Sequence, residues 1–288
     1  MKEIGGVAIK SSTLYVVATP IGNLADLSHR ALDVLRGVDL IAAEDTRRTR
    51  QLLSHYGIHA QLVAYHEHNE SEQSLVLMNK LEAGHAIALV SDAGTPLVND
   101  PGYRLVNAAH QAGIHVLPIP GACAAIAALS VSGLPSHRFA FEGFPPAKPL
   151  AREKFFCEMV SSDHTLIFYE SSHRILDSVK AMGDVFGADR EAVIARELTK
   201  TFETVLRGSL GGLCEALLAD SNQCKGEFVV LIAPSPDSRD GHERELDRIL
   251  GALLKVMSVK QASEVAAEVT GLKKNFVYQQ ALAMKNRE

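Results

Sequence analysis

The chain has 288 residues, 47% of them hydrophobic and 22% charged, with a formal net charge of −5. That is the composition of an ordinary soluble globular protein long enough for two or three domains. The acidic balance argues against a protein coated in nucleic acid but leaves room for a local basic patch, because the field that matters is local. Four cysteines, Cys123, Cys157, Cys214 and Cys224, lie far apart with no C-x-x-C and no zinc spacing, and they read as reduced thiols of a cytoplasmic protein. The first dozen residues hold no apolar core long enough for a signal peptide. The longest small-apolar stretch, Ala122 to Leu134, is too short and too interrupted to span a membrane.

Residues 1–12 read as a loose leader. From Leu14 onward, short apolar runs alternate with helical periods. Strands are predicted at Leu14–Ala18, Val38–Ala43, Gln61–Ala64, Ala86–Val90 and His115–Ile119, and helices at about 27–36, 45–56, 70–83, 101–112 and 122–132. Such alternation with short loops means a mainly parallel sheet covered on both faces, and defines a first α/β domain over 13–133. A break follows at Gly133-Leu134-Pro135-Ser136, and a proline-rich stretch runs from Phe144 to Pro149. A second α/β domain, 134–235, carries strands at Phe139–Glu142, Thr165–Tyr169, Ala192–Arg196, Glu203–Gly208 and Glu227–Ala233. Pro234 to Ser238 is a linker by composition. The remainder, 241–288, is helical: Val259–Val269, a turn at Thr270-Gly271-Leu272, then Lys273–Met284. That is a helix-turn-helix pattern, and equally the pattern of a small bundle that caps the domain or a dimer partner. Lys273, Lys274 and Lys285 on the last helix tilt it towards nucleic acid.

Three strands end in turns of small residues: Thr19-Pro20-Ile21-Gly22-Asn23, Ser91-Asp92-Ala93-Gly94-Thr95-Pro96, and Pro120-Gly121-Ala122-Cys123. Their repetition points to one shared crevice at the strand ends and a ligand gripped largely by backbone. The common tenants are missing: no G-x-G-x-x-G follows the first strand, no G-x-x-x-x-G-K-[ST] occurs, and no nucleophile elbow is present. Charged strand ends supply candidate chemistry. Asp45-Thr46-Arg47 follows an apolar strand, either as a helix N-cap with a solvated arginine face or with a site role for Glu44, Asp45 or Arg47. His66-Glu67-His68-Asn69-Glu70 fits a polar loop at the crevice mouth better than a metal site, since no third ligand has a natural place. Arg196–Lys200 and Tyr169–Arg174 set acid beside base after apolar runs. Surface salt bridging is the plain reading, while their strand-end positions favour a polar substrate surface with a phosphate-binding arginine or lysine, to which Lys148 can belong.

Thr19 to Leu24, Ala43-Glu44-Asp45-Thr46-Arg47, Ser91 to Gly102, Arg196 to Lys200 and Lys225-Gly226-Glu227, in that order, resemble the bacterial small-subunit ribosomal RNA methyltransferases of the tetrapyrrole methylase-like superfamily. The resemblance runs from about Leu14 to the C-terminus. It implies two α/β domains with S-adenosylmethionine folded in the cleft between them, plus a small C-terminal helical domain. It implicates Pro20, Asp92, Gly94, Thr95, Val98, Cys123 and Ala124 of the first domain and Tyr169, Ala195 and Glu227 of the second as cofactor contacts. In one departure, tetrapyrrole methylases usually read Gly-Asp-Pro where this chain reads Gly94-Thr95-Pro96, so their acidic contact is missing there. The resemblance further implies a cytidine ribose 2′-hydroxyl of 16S ribosomal RNA as acceptor and a homodimer. The acidic net charge favours a large structured target such as the 30S subunit over free RNA, and the residues call for neither metal nor membrane. Glu44, Asp45, Glu170 and Glu197 are the candidate general bases, with Lys200 beside them as a further catalytic candidate. Arg47, Lys148, Arg174, Arg196 and Lys200 are candidates for the flanking phosphates, and Lys273 and Lys274 for RNA contact by the terminal helices. Two other readings stay open: a small-molecule methylase acting on a tetrapyrrole or similar ring, and a non-catalytic RNA-binding assembly factor.

Overall fold

The computed structural model describes residues 2–4, 7–236 and 241–285. Where the sequence predicts a loose leader, Lys2–Ile4 (β1) and Val7–Ile9 (β2) pair antiparallel. Ile9 anchors this ribbon by burying its side chain in the first core.

The next five strands, Thr13–Val17 (β3), Leu40–Ala43 (β4), Leu62–Ala64 (β5), Ala86–Val90 (β6) and His115–Ile119 (β7), form one sheet in the order β5-β4-β6-β3-β7, with every pairing parallel. Parallel strands require crossover helices, and these cover both faces. Tyr15, Val17, Ile41, Ala43, Ala88 and Val90 pack towards His29–Gly37 (α1) and Thr46–His55 (α2). The alternate residues Leu14, Leu40, Ala42, Ile87 and Leu89 pack towards Glu70–Glu82 (α3) and Tyr103–Gln111 (α4). Period-two alternation with burial on both sides is why β4 and β6 read as unbroken apolar runs.

Ala124–Ser132 (α5) departs from the expected domain division. The sequence assigns it to the first domain, yet Ala125, Ala128 and Leu129 pack against the second sheet. Apolar residues stand on every side of the helix, so no stripe marks the face it buries; Ala125, Ala128 and Leu129 turn inward while Ile126 and Val131 are exposed. The second sheet comprises Phe139–Gly143 (β8), Thr165–Ser171 (β9), Glu191–Arg196 (β10), Thr204–Ser209 (β11) and Glu227–Ile232 (β12), in the order β11-β10-β12-β9-β8. Only β8 and β9 pair parallel. Ile167, Val193, Ala195, Val229 and Leu231 meet α5, whereas Phe168, Ile194 and Val230 meet a layer built from Pro149–Cys157 (α6), Ile175–Phe186 (α7) and Leu210–Ala219 (α8).

The proposed linker starts firmly: Ser235 is buried and its N–H donates to the Ser162 carbonyl at 2.8 Å. Its last residues, 237 and 238, lie outside the described residues. Gly241–Leu253 (α9), Val259–Thr270 (α10) and Lys274–Lys285 (α11) then build a core of their own from Leu246, Leu250, Ala266, Val277 and Ala281. A capping box between Ser258 and Gln261 starts α10, and Gly271 at φ 70° ends it, so helix, glycine turn and helix follow as the pattern predicts.

The loop from β6 to α4 carries the sharpest backbone constraint. Leu97 and Asn99 have φ of 71° and 64°, and Gly102 has φ of 141° just before α4. A Cβ on Gly102 would stand 2.8 Å from Leu97 Cδ1 and 2.9 Å from Leu89 Cδ2. Gly102→Ala is therefore expected to lower the unfolding free energy by about 1–3 kcal/mol. Urea denaturation checks this, and an unchanged midpoint contradicts it.

Candidate active-site cleft

The three small-residue turns are hydrogen-bonded to one another. The Thr19 N–H donates to the Gly94 carbonyl at 2.8 Å, and the Gly94 N–H returns a bond to Thr19 at 3.1 Å. The Thr95 hydroxyl donates to the Ala122 carbonyl at 3.0 Å, which ties in the third turn. Gly94 has φ of 87°, a backbone conformation that a side chain would strain. The turns form one rigid rim at the carboxyl ends of β3, β6 and β7.

Between this rim and the second sheet lies a cavity of about 440 Å³. Of the expected cofactor contacts, Asp92, Gly94, Thr95, Val98, Ala124, Tyr169, Ala195 and Glu227 line it. Pro20 and Cys123 do not: Pro20 lines a neighbouring smaller cavity, and Cys123 sits at the N-cap of α5, partly buried against the second sheet. Among the catalytic candidates, Glu44, Glu170 and Lys200 line the cavity. The second sheet adds Phe228 and Val229, and the strained loop adds Asn99 and Asp100. Asp100 lies inside the Ser91–Gly102 motif, but its burial had no sequence signal. Tyr169 accepts the Ala125 N–H at 3.2 Å at the head of α5, and burial pushes its hydroxyl up to about 12.

Three carboxylates from the first domain share one wall. The Glu44 carboxylate accepts the Asp92 N–H at 3.2 Å, and Asp92 accepts the Asp45 N–H at 2.9 Å and an ion pair from Arg48 at 3.2 Å. Burial pushes the Glu44 carboxyl above its ordinary range; the Asp92 N–H opposes this and the Asp92 charge adds to it. Burial and the neighbouring Glu44 charge push Asp100 up to about 6. Across the cavity, Lys200 Nζ bridges Glu197 at 2.7 Å and Glu227 at 2.8 Å, and Glu197 also accepts the Glu227 N–H at 3.0 Å. Burial pushes Glu197 up, but Lys200 and the Glu227 N–H outweigh it and hold the carboxyl below its ordinary range.

Several expectations change on this geometry. Asp45 caps α2 and forks with Arg47 at 2.9 and 3.2 Å, and the Arg47 side chain holds it well below the carboxylate range, so it is a weak proton acceptor outside the cavity. Glu170 is 2% exposed, with its carboxylate taken by the Ser171 N–H, the Ser178 hydroxyl and Arg174. Arg196 is buried, and its guanidinium is spent on the carbonyls of Lys225 and Phe202, at 2.6 and 3.1 Å. Arg174 likewise serves the Pro145 carbonyl and Glu170. Neither arginine is free for a phosphate. Arg47, Lys148, Lys273 and Lys274 are exposed. Asn69 heads α3, but its side chain accepts the His66 N–H rather than capping the helix. Among the described residues no cluster of three or more histidine, cysteine or acidic side chains is arranged to hold a metal.

A parallel sheet with a backbone-rimmed crevice, joined by an all-apolar helix to a mostly antiparallel sheet, defines a methylase fold. The chain belongs to the tetrapyrrole (corrin/porphyrin) methylase family, whose model matches residues 13–214. Within it, the chain is 50% identical to the ribosomal RNA small subunit methyltransferase I of Pseudomonas aeruginosa, over 97% of this chain and 100% of that protein. It is 49% identical to the protein of that name in Escherichia coli O157:H7, over 98% and 99%. Residues 240–285 match a separate model described as the RsmI C-terminal HTH domain. Among solved structures, diphthine synthase superposes with a TM-score of 0.57 at 18% identity, covering 77% of this chain and 90% of that one. A Thermus thermophilus uroporphyrin-III C-methyl transferase complexed with S-adenyl homocysteine has a TM-score of 0.52 at 16% identity, covering 77% and 97%. These two likenesses establish the fold.

Because Asp100 is raised in the folded state, folding is favoured by its protonation. The stability it contributes is complete below its unfolded value and is lost as pH rises through about 6. Asp100→Asn is expected to be more stable than the parent at pH 7, by about 1 kcal/mol after solvent screening, with the gap closing towards pH 4. Denaturant melts at the two pH values check this.

Proposed function

We propose that this protein transfers a methyl group from S-adenosylmethionine to the ribose 2′-hydroxyl of a cytidine in 16S ribosomal RNA. The observation that carries the reading is the likeness to ribosomal RNA small subunit methyltransferases over nearly the whole chain, helical tail included, together with the cleft. The residues present suit the cofactor. Ile21, Val98, Ala124, Leu198 and Val229 offer apolar walls to a purine. Glu44, Asp92, Asp100 and Glu227 set negative charge beside a ligand bearing a sulfonium and an ammonium, against the single cation Lys200. Gly94 keeps the rim bare of side chain.

When bound, S-adenosylmethionine supplies an electrophilic methyl group that an oxygen can take. Positioning by a rigid rim can account for much of the rate, up to about 7–11 kcal/mol in ideal cases. The 2′-oxygen must also lose its proton, and Glu44 is the carboxyl suited to receive it. It lies in the cavity wall, its burial raises its proton affinity, and only one of its contacts is a backbone N–H. Asp45 and Glu197 are held in the opposite sense, and Glu170 is saturated. Lys200 ties the loop after β10 to the start of β12 through Glu197 and Glu227, on the second-domain side of the cleft, and so positions rather than titrates.

Of the expected RNA contacts, Arg47, Lys148, Lys273 and Lys274 are exposed and available to phosphates, and α10 and α11 present a helix-turn-helix to the same target. We place the reaction on the assembled 30S subunit, in the cytoplasm; among the described residues no helix is long and apolar enough to cross a membrane. A homodimer is supported by exposed Ile126 and Val131 on α5 beside exposed Val205 on the edge strand β11.

Incubation of 30S particles lacking the methyl group with labelled S-adenosylmethionine is expected to label one ribose. Label on a base, or none on RNA, contradicts the assignment. Glu44→Gln is expected to cut turnover by about 10²–10⁴-fold and to abolish the acid limb of the pH–rate profile, while calorimetry shows S-adenosylmethionine still bound. Full activity in that variant removes Glu44 as the base.

A further inference from the structure

A second cavity, of about 310 Å³, lies next to the first, and Asp92 lines both. The turn after β3 also separates them, giving Ile21 to the first and Pro20 to the second. The opposite wall is α2, which contributes Arg48, Gln51, Leu52 and His55.

Displacement at carbon needs the attacking oxygen about 3–3.5 Å from the methyl group. With the cofactor in the larger cavity, the acceptor must occupy space contiguous with it, and the second cavity adjoins it at Asp92. The walls match one nucleotide. Pro20 and Leu52 are apolar surfaces for a ring face, and Gln51 offers both a donor and an acceptor to a polar base edge. His55 and Gln51 are exposed and lie four residues apart, so they share one face of α2. Arg48 is 69% exposed in its side chain and holds Asp92 at 3.2 Å. A phosphate oxygen can replace that carboxylate as the guanidinium's partner without moving the helix. Arg47 and Arg50 continue the positive charge along the exposed side of the same helix.

We propose that this second cavity receives the acceptor nucleotide of an unpaired RNA strand. Its base lies against Pro20 and Leu52 with Gln51 and His55 at its polar edge, and Arg48 leaves Asp92 for the adjoining phosphate. The proposal rests on the RNA methyltransferase reading and adds where the RNA enters.

The test uses the full-length protein with 30S particles lacking the methyl group. Gln51→Ala/His55→Ala alters two exposed side chains outside the cofactor cavity. It is expected to raise KM for the particles by about tenfold or more, the worth of one or two polar contacts. S-adenosylmethionine affinity by calorimetry and the melting temperature should stay at parental values. Arg48→Ala is expected to raise KM likewise, with partial rescue in Arg48→Lys. Parental KM in the double variant overturns the proposal while leaving the enzyme an RNA methyltransferase. A loss confined to S-adenosylmethionine binding also overturns it, because the cavity then belongs to the cofactor. Absence of RNA methylation by the parent protein sinks the underlying reading, and this proposal with it.

Discussion

The turns that close β3, β6 and β7 must meet backbone to backbone, and the cleft exists because they do. The reciprocal Thr19–Gly94 pair fixes two turns in register, and the Thr95 hydroxyl fixes the third through the Ala122 carbonyl. Each bond is modest in net energy, about 0.5–1.5 kcal/mol. Their value lies in geometry, since they remove the independent motion of three loops around one ligand. The same contact accounts for the departure from the tetrapyrrole pattern at residue 95. A hydroxyl donates to a carbonyl; an ionised aspartate cannot, and would place charge against the Ala122 oxygen. Threonine at this position exchanges an acidic contact for a tie between loops, and the acid of this wall is carried by Glu44, Asp92 and Asp100.

A second constraint holds the two domains at a fixed distance across the cleft. The Asn23 N–H donates to the Thr199 hydroxyl at 3.1 Å, and Gly22 lies so close to Lys200 that a Cβ would stand 2.5 Å from its Cγ. On the far side, a Cβ on Gly143 would stand 2.9 Å from Asn99 Oδ1. Thr199 and Asn99, which make these contacts, have positive φ, as do Glu197 and Leu97 two residues before them. Four such residues on two facing loops are held in place by the surrounding structure, and strain of this kind gathers where a ligand is clamped. The Lys200 bridge to Glu197 and Glu227 acts within the second domain. As a partly exposed pair it adds little stability, but it joins the loop after β10 to the start of β12, both bordering the cavity.

The architecture of the sheets was legible because periodicity is a local property. Ala86–Val90 and His115–Ile119 match the predicted limits, and the other strands of the two five-stranded sheets differ by two residues or fewer at each end, whereas the β1–β2 ribbon is not predicted. What a period cannot convey is the partner. α5 follows a strand of the first sheet, which places it there by sequence, yet it packs on the second, because a helix with apolar residues on every side has no stripe to say which sheet it covers. Arg196 shows the same limit in a single side chain. Its place at the end of β10 marks it as close to the cleft, and Ala195 does line it. Side chains alternate along a strand, however, so the neighbour of an inward Ala195 shares the opposite face with Ile194. That parity was available in the sequence once Val193 and Ala195 were set on one face. The burial of Asp100 was not, because it depends on the loop folding back beside Glu44.

The charges divide by depth. Carboxylates line the cavity and arginines line the outside of α2, with Asp92 and Arg48 meeting at the border. An acidic interior draws in a cationic cofactor and repels a polyanion, so a phosphate backbone stays at the rim while a neutral ribose hydroxyl is admitted. Phosphates then neutralise arginines, and every arginine withdrawn from a carboxylate leaves the cavity wall more negative where the cofactor is positive. With the RNA placed as proposed, cofactor and RNA favour one another's binding through Arg48 and Asp92, a coupling that by thermodynamic linkage must be equal in both directions. A net charge of −5 fits this arrangement, since RNA is attracted only where the basic surface faces it.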